Sequence, residues 1–269
     1  MPATDGFNLT RVAAQLSACV REAGSLALSM FGAPIRNWTK GESSPVTEAD
    51  IAVDRLLRER LTGTGDGFAW LSEESVDDSA RLAARYVWIV DPIDGTRAFL
   101  QGHPDWAVSA ALVDNGRPIV ACLYAPVTRH FFMATAGEGA TCNGEAITAS
   151  NGTSLTQARI AGPKRFLERL AAVAPPFTVM PRLHSLALRF ARVAKSELDV
   201  AIAGSNSHDW DLAAADLLVH EAGGALGPVG GGTITYNLPV SRHGMLVAAG
   251  RERHATLLEL FREKRLTPS

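Results

Sequence analysis

The segment WIVDPIDGTRAFL, residues 88–100, sets Asp91 and Asp94 on either side of Pro92-Ile93 and follows them at once with Gly95-Thr96. Proline fixes the turn, so both carboxylates and the Ile93 carbonyl are able to converge on one point. Two further acidic units lie upstream: Glu73-Glu74, directly after a β-like run, and Asp50, which closes Thr47-Glu48-Ala49-Asp50. Taken singly these are an acidic turn with a helix cap, a solvated pair and a capping box. In sequence they are harder to dismiss, because like charges held together repel and burying them uncompensated costs several kcal/mol each. The expected compensator is a metal. The candidate ligands are all oxygens, with no His or Cys at matching spacing, which points to a hard ion such as Mg²⁺ rather than Zn²⁺. If Gly95-Thr96 opens a short helix through Leu100, its unpaired N–H groups face the same point and suit a phosphate. Metals beside a helix N-terminus describe a phosphoryl-transfer centre.

The elements that must hold these residues follow from periodicity. Leu9, Val12, Ala13, Leu16, Val20, Ala23, Ala27 and Phe31 recur at helical spacing, and Gly32 and Pro34 supply the stop. The capping box at Thr47 opens a second helix carrying Ile51, Leu57 and Leu61, which Gly63, Gly65 and Gly67 break. Short strands are expected at 68–71 and 86–90, each ending in carboxylates, then antiparallel sheet over 106–133 with Asn115-Gly116 as its hairpin turn. Beyond about Ser150, apolar runs at 158–161, 198–202 and 245–249 alternate with helical ones at 183–194, 212–222 and 254–261. Asn151-Gly152 marks the expected boundary between an α+β half, 1–150, and an α/β half, 151–269.

Composition excludes several classes. The 269 residues are 46% hydrophobic and 20% charged, enough for a substantial core. A net charge of −2 with no basic block argues against nucleic acid as the main partner. Cys19, Cys122 and Cys142 are odd in number and too far apart for a CxxC unit, so they read as buried thiols in a reducing compartment. Charged Asp5, Arg11, Arg21 and Glu22 interrupt the N-terminal apolar positions, and no uncharged run approaches the ~18 residues of a membrane span. A soluble, cytoplasmic protein is expected.

The string Asp91-Pro92-Ile93-Asp94-Gly95-Thr96, preceded by Glu73-Glu74-Ser75 and followed by Trp210-Asp211-Leu212-Ala213-Ala214-Ala215 and Glu221-Ala222-Gly223-Gly224, resembles the inositol monophosphatase family from Lys40 to about Ala249. The resemblance implies a layered αβαβα sandwich of the inositol monophosphatase/fructose bisphosphatase type, and hydrolysis of a phosphomonoester by attack of a metal-activated water. Position by position, it implies a first Mg²⁺ on Glu73, Asp91 and the Ile93 carbonyl. A second would sit on Asp91, Asp94 and Asp211, and a weaker third would be held in part by Glu73. Gly95 and Thr96 N–H groups would receive the phosphate. Asp50 would hydrogen-bond the Thr96 hydroxyl, which with Glu73 would orient and help deprotonate the attacking water. Lys40 matches a family lysine near the site, and Glu74 stands behind the ligands. Asp211, the last ligand, comes from the C-terminal half. A homodimer and lithium sensitivity are implied as well.

The same resemblance divides over the substrate. The position seven residues before Asp211, where inositol monophosphatases usually carry a Glu that contacts inositol, is Gly204. Arg97-Ala98-Phe99 and Tyr236-Asn237 with Pro239 resemble 3'-phosphoadenosine 5'-phosphate (PAP) phosphatases, whereas Ala107-Val108-Ser109 and Cys142-Asn143-Gly144 resemble the inositol branch. Histidinol-phosphate phosphatases share the same core. Arg97 is placed to meet substrate, and His208-Asp209 reads as a surface hydrogen bond. A regulatory protein on the same fold is the non-enzymatic alternative; the presence of Glu73, Asp91, Asp94, Asp211, Asp50 and Thr96 together speaks against it.

Overall fold

A computed structural model describes residues 8–41, 44–62, 67–264 and 266. Helix α1 (Leu9–Met30) starts where the Asn8 side chain accepts the Arg11 N–H at 3.0 Å, and Val12, Leu16, Val20 and Ala23 form its buried stripe. Gly24 lies on the same face because any Cβ there would collide with the Tyr124 ring. A hairpin of β1 (Asn37–Lys40) and β2 (Ser44–Thr47) leads into α2 (Glu48–Thr62). The expected capping box is present: Asp50 Oδ2 accepts the Thr47 N–H at 2.8 Å, and Thr47 Oγ1 accepts the Asp50 N–H at 3.3 Å. The inward face of α2 is Ala49, Asp50, Val53, Asp54, Leu57 and Leu61; Ile51, two residues round from Ala49, is turned outward and 41% exposed. Gly63 and Gly65, expected to end this helix, lie outside the described residues; Gly67 has φ +67°.

A seven-stranded sheet follows in simple chain order: β3 (Ala69–Ser72), β4 (Tyr86–Asp94), β5 (Ala107–Asp114), β6 (Arg117–Ala125), β7 (His130–Thr135), β8 (Gly139–Cys142) and β9 (Glu145–Ile147). Only β3 and β4 are parallel. Asn115 and Gly116, at φ +46° and +79°, form the two-residue turn between β5 and β6. Strand β4 runs further than the apolar segment at 86–90, through both aspartates. Asp91 pairs with Ser109 and Asp94 with Ala107, so three steps on β4 face two on β5. The irregularity is a bulge at Pro92, which has no N–H to give the ladder. Asp91 and Asp94 thus sit within a bulged strand rather than after it. Short α3 (Thr96–Leu100) follows.

The second sheet has the order β11-β10-β12-β16-β14. Its strands β10 (Arg159–Ala161), β11 (Thr178–Val179) and β12 (Val200–Ala203) are parallel, separated by α4 (Lys164–Ala171) and α5 (Leu186–Ala194). Strand β13 (Ser207–His208) opens α6 (Asp209–Glu221), followed by β14 (Gly224–Pro228), β15 (Arg242–His243), β16 (Leu246–Gly250) and α7 (Arg251–Glu263). One core cluster joins α5 and α6 to residues of both sheets, such as Ile89 and Leu123 on one side and Ala201 and Ala248 on the other. A second packs α1 and α2 on the seven-stranded sheet, and a third packs α4 and α7 on the five-stranded one. The layers therefore run helix, sheet, helix, sheet, helix. Among the described residues no helix is long and apolar enough to cross a membrane.

Candidate active site

Asp91 and Asp94 arrive from the bulged end of β4, and Asp211 from the first turn of α6, where its Oδ2 accepts the His208 N–H at 2.6 Å. One carboxylate oxygen from each of the three lies within 4.8 Å of the others. Glu73 lines the same cleft from the loop after β3, outside that trio. Its N–H donates to the Val90 carbonyl at 3.3 Å. The loop is fixed by buried Asp54, which accepts from the Ser72 hydroxyl and from Ser75 Oγ at 2.7 Å, while Trp70 Nε1 donates to Ser75 Oγ at 3.2 Å. Lys40 reaches in from β1: its ammonium donates to the Glu73 carbonyl and stands 3.6 Å from Glu74 Oε2.

Asp94 ties the two halves of the chain together. Its Oδ2 accepts Ser185 Oγ at 2.6 Å and the Ala187 N–H at 2.6 Å, and its Oδ1 accepts the Leu186 N–H at 3.1 Å. These donors are the cap and first turn of α5, whose dipole favours a negative charge there. Gly95 follows at φ +100°, with room for a Cβ denied by the Asp105 carbonyl at 3.0 Å and the Ser185 nitrogen at 3.2 Å. Glycine alone supplies this backbone without strain. Gly95→Ala is expected to lower the melting temperature by several degrees and weaken binding of inorganic phosphate, read by thermal unfolding and titration calorimetry.

Gly95 caps α3, and the Thr96 hydroxyl stands 3.1 Å from Asp50 Oδ1 and 3.0 Å from the Ile93 carbonyl. Asp50 is itself aimed by Thr47, whose N–H and hydroxyl both donate to Oδ2, the latter at 2.6 Å. Arg97 lines the cleft, which encloses about 550 Å³.

Electrostatics set the requirement of the site. Burial pushes Asp91 and Asp211 well above the ordinary carboxylate range, and neighbouring charges add to it: Glu73, then Asp94, for Asp91, and Asp94 for Asp211. Burial likewise raises Asp94, against the hydrogen bonds from Ser185, Ala187 and Leu186. Glu73 is pushed up to about 7, by burial first and Glu74 second. Glu74 and Asp50 are raised by burial too. No Lys or Arg among the described residues forms an ion pair with Asp91, Asp94 or Asp211. An all-oxygen donor set with surplus negative charge fits hard divalent cations, which would remove the cost of ionising the group.

Every site residue expected from the sequence is described. Glu73, Asp91, Ile93, Asp94, Gly95, Thr96, Arg97 and Asp211 line one cleft, with Asp50 hydrogen-bonded to Thr96 and with Lys40 and Glu74 adjoining Glu73. Gly204 lies apart from it, in an adjacent cavity. The Tyr236-Asn237 pair is absorbed by packing: Tyr236 is buried with its hydroxyl 3.0 Å from Asp216, and Asn237 bonds Arg81 and Asp209. Asp209, expected at the surface, is 1% exposed and holds His243 Nε2 at 2.6 Å, because the β13–β15 pairing covers it. Ser185, Arg182 and His184 border the site without having been singled out in the sequence; Ser185 meets Asp94 across 91 positions, a separation no local pattern reveals.

A family model described as the inositol monophosphatase family matches residues 8–266. An inositol monophosphatase from Dictyostelium discoideum is 35% identical over 225 residues, covering 79% of this chain and 83% of that protein. A histidinol-phosphatase from Mycobacterium tuberculosis is 34% identical over 234 residues, covering 80% and 89%. The crystal structure of extragenic suppressor protein suhB from Bartonella henselae superimposes with a TM-score of 0.82 at 26% identity, covering 94% of this chain and 99% of that one.

Proposed function

The chain belongs to the inositol monophosphatase family, and from that premise we propose that its acidic cleft is the centre of a Mg²⁺-dependent phosphomonoesterase for a small phosphorylated metabolite of the inositol monophosphate type. The observation that carries the reading is the meeting of Asp91, Asp94 and Asp211 within 4.8 Å, beside the Thr96–Asp50 hydrogen bond. Glu73, Asp91 and the Ile93 carbonyl would hold one ion and Asp91, Asp94 and Asp211 another, with Glu73 sharing in a weaker third. Bound there, Mg²⁺ supplies a more acidic water and neutralises charge on the leaving oxygen.

The chain's own groups do the positioning. Gly95 and Thr96 N–H groups receive the phosphate. The Thr96 hydroxyl has one proton; given to Asp50 Oδ1 at 3.1 Å, it leaves the oxygen's lone pairs to accept from the attacking water. Glu73 holds the same water from the β3 side and takes its proton. Lys40, anchored on the Glu73 carbonyl and near Glu74, fixes the loop that aims Glu73. The same reading carries a cytoplasmic homodimer inhibited by lithium.

The direct test is phosphate release with Mg²⁺ from inositol 1-phosphate, PAP and histidinol phosphate at equal concentration. Metal-dependent release from one of them is expected, and silence on all three from folded protein would overturn the reading. Thr96→Val and Asp50→Asn should each lower kcat by about a hundredfold or more. Because the two act as one unit, the double variant should cost little beyond the worse single one. Additive losses would separate Asp50 from the water.

A further inference from the structure

The chain contains three Asn-Gly steps, Asn115-Gly116, Asn143-Gly144 and Asn151-Gly152. At such a step the glycine nitrogen is able to attack the asparagine side-chain amide, since no Cβ on the glycine shields it. The fold treats the three differently. Asn115-Gly116 and Asn143-Gly144 are the two-residue turns of the β5–β6 and β8–β9 hairpins, with φ of +46° and +79° in the first and +55° and +86° in the second. Their side chains are held as well: Asn115 Nδ2 donates to Asp114 Oδ1 at 2.9 Å, and Asn143 Oδ1 accepts the Phe131 N–H at 2.9 Å. Ring closure at either step has to break a hairpin turn.

Asn151 is exposed and lies outside both regular structure and the left-handed region. Among the described residues, neither its side-chain amide nor the Gly152 N–H has a hydrogen-bond partner. The carbonyl of the same peptide unit is bonded: Asn151 O accepts Arg253 Nη2 at 3.0 Å. Arg253, on α7, is 7% exposed, and its other donors go to Ser150 O at 3.2 Å, Ser150 Oγ at 2.9 Å and Ser154 O at 3.0 Å. Among the described residues it forms no ion pair, so only neutral oxygens solvate its charge. The carbonyl it holds belongs to the amide whose nitrogen must attack. When that amide loses its proton, the negative charge is shared onto Asn151 O, which faces the guanidinium. A fixed, buried cation there stabilises the developing charge as an oxyanion hole does.

We propose that Asn151-Gly152 is a self-modification site, at which Arg253 promotes the conversion of Asn151 to aspartate and isoaspartate. Solvent base removes the Gly152 amide proton, and the nitrogen bonds to Asn151 Cγ. The Cγ–Nδ2 bond breaks and releases ammonia, which takes its proton from water. Water then opens the cyclic imide, with no oxidant or reductant needed. Opening at Cγ leaves aspartate. Opening at the former main-chain carbonyl leaves isoaspartate, whose free carboxylate includes the oxygen that Arg253 Nη2 holds. The isoaspartyl product thus gives Arg253 the anion that it lacks. The step does not line the acidic cleft, so the outcome is independent of the phosphatase reading.

The test incubates the whole chain in mildly alkaline buffer, folded and in urea, and follows each Asn-Gly step by peptide mapping with isoaspartate-specific methylation. In folded protein Asn151 should convert at least about tenfold faster than Asn115 or Asn143. It should also convert at least about threefold faster than it does in urea, where the three steps run at similar rates. Exposure alone brings a folded site at best to the rate of the unfolded chain, so the second comparison isolates the contribution of Arg253. Arg253→Gln, verified as folded by its melting transition, should bring the folded rate at Asn151 down to its rate in urea or below. Equal folded rates at the three steps, an Asn151 no faster folded than in urea, or an unchanged rate in folded Arg253→Gln protein would each overturn the proposal. If Arg253→Gln does not fold, the two comparisons on the unaltered chain decide it.

Discussion

Asp91→Asn is expected to lower phosphate release by more than about a thousandfold, roughly 4 kcal/mol of transition-state stabilisation, while making the metal-free protein more stable. The two effects have one cause. Asp91 is 2% exposed, and its charge is opposed by burial and by Glu73, Asp94 and Asp211. The amide keeps the shape and can still accept the Ile93 N–H, which Asp91 Oδ1 accepts at 3.1 Å. It removes the charge that a cation would need and that the bare fold must pay for. The melting temperature without metal should rise by about 2–4 °C for each kcal/mol of repulsion relieved, and the increment from added Mg²⁺ should shrink. Asp94→Asn is a poorer test, since both of its oxygens already accept donors from α5 and an amide nitrogen would face one of them. Near-normal turnover in Asp91→Asn would remove Asp91 from the ion site. Lost turnover with lowered metal-free stability would mean that its charge is held by something other than a cation.

The legible parts of this molecule are those written locally. The α1 stripe, the capping box at Thr47, the Asn115-Gly116 turn and the start of α3 at Gly95 each depend on residues within about one turn of one another, and each is where the pattern puts it. The layering also follows from the resemblance, since the three core clusters sort the helices around two sheets. What the sequence did not reveal is set by distance along the chain. The bulge that carries β4 through Asp91 and Asp94 depends on pairing with β5, so the apolar run alone ends the strand too early. Ile51 lies on α2 as the pattern expects but faces outward; the inward face belongs to Asp50, which accepts the Thr96 hydroxyl, and Asp54, which holds the Glu73 loop through two serines. Ser185 gains its meaning only when α5 packs against the end of β4. Local chemistry identified the acidic groups; tertiary packing decides what faces them.

Metal-free protein should lose stability as pH rises from about 4.5 to 7, and Mg²⁺ should reverse the trend. Glu73 rises from an ordinary value of 4.5 to about 7 in the fold, so between those values the folded chain holds a proton that the unfolded chain has released. Stability then falls with pH, because the folded state binds the extra proton; the contribution is full below the unfolded value and gone above the folded one. From Glu73 alone the loss amounts to about 3 kcal/mol, or roughly 6–12 °C in melting temperature. Asp91, Asp94 and Asp211, raised as well, act in the same direction. Asp199, drawn down to about 2 by its hydrogen bonds with Arg159, works the other way, but its contribution is lost only below the ordinary carboxylate range. Histidines shifted in both directions, such as His220 upward by Asp216 and His254 downward by burial, overlap the upper end of the window. They are common to both samples, so the quantity to follow is the melting temperature with Mg²⁺ minus that with chelator. Protons and cations compete for the same oxygens, so this difference should grow from near zero at pH 4.5 to a plateau above 7. A Mg²⁺ increment that stays flat across the window would mean that the ion binds away from Glu73 and its acidic neighbours, and the cleft would then need another source of positive charge.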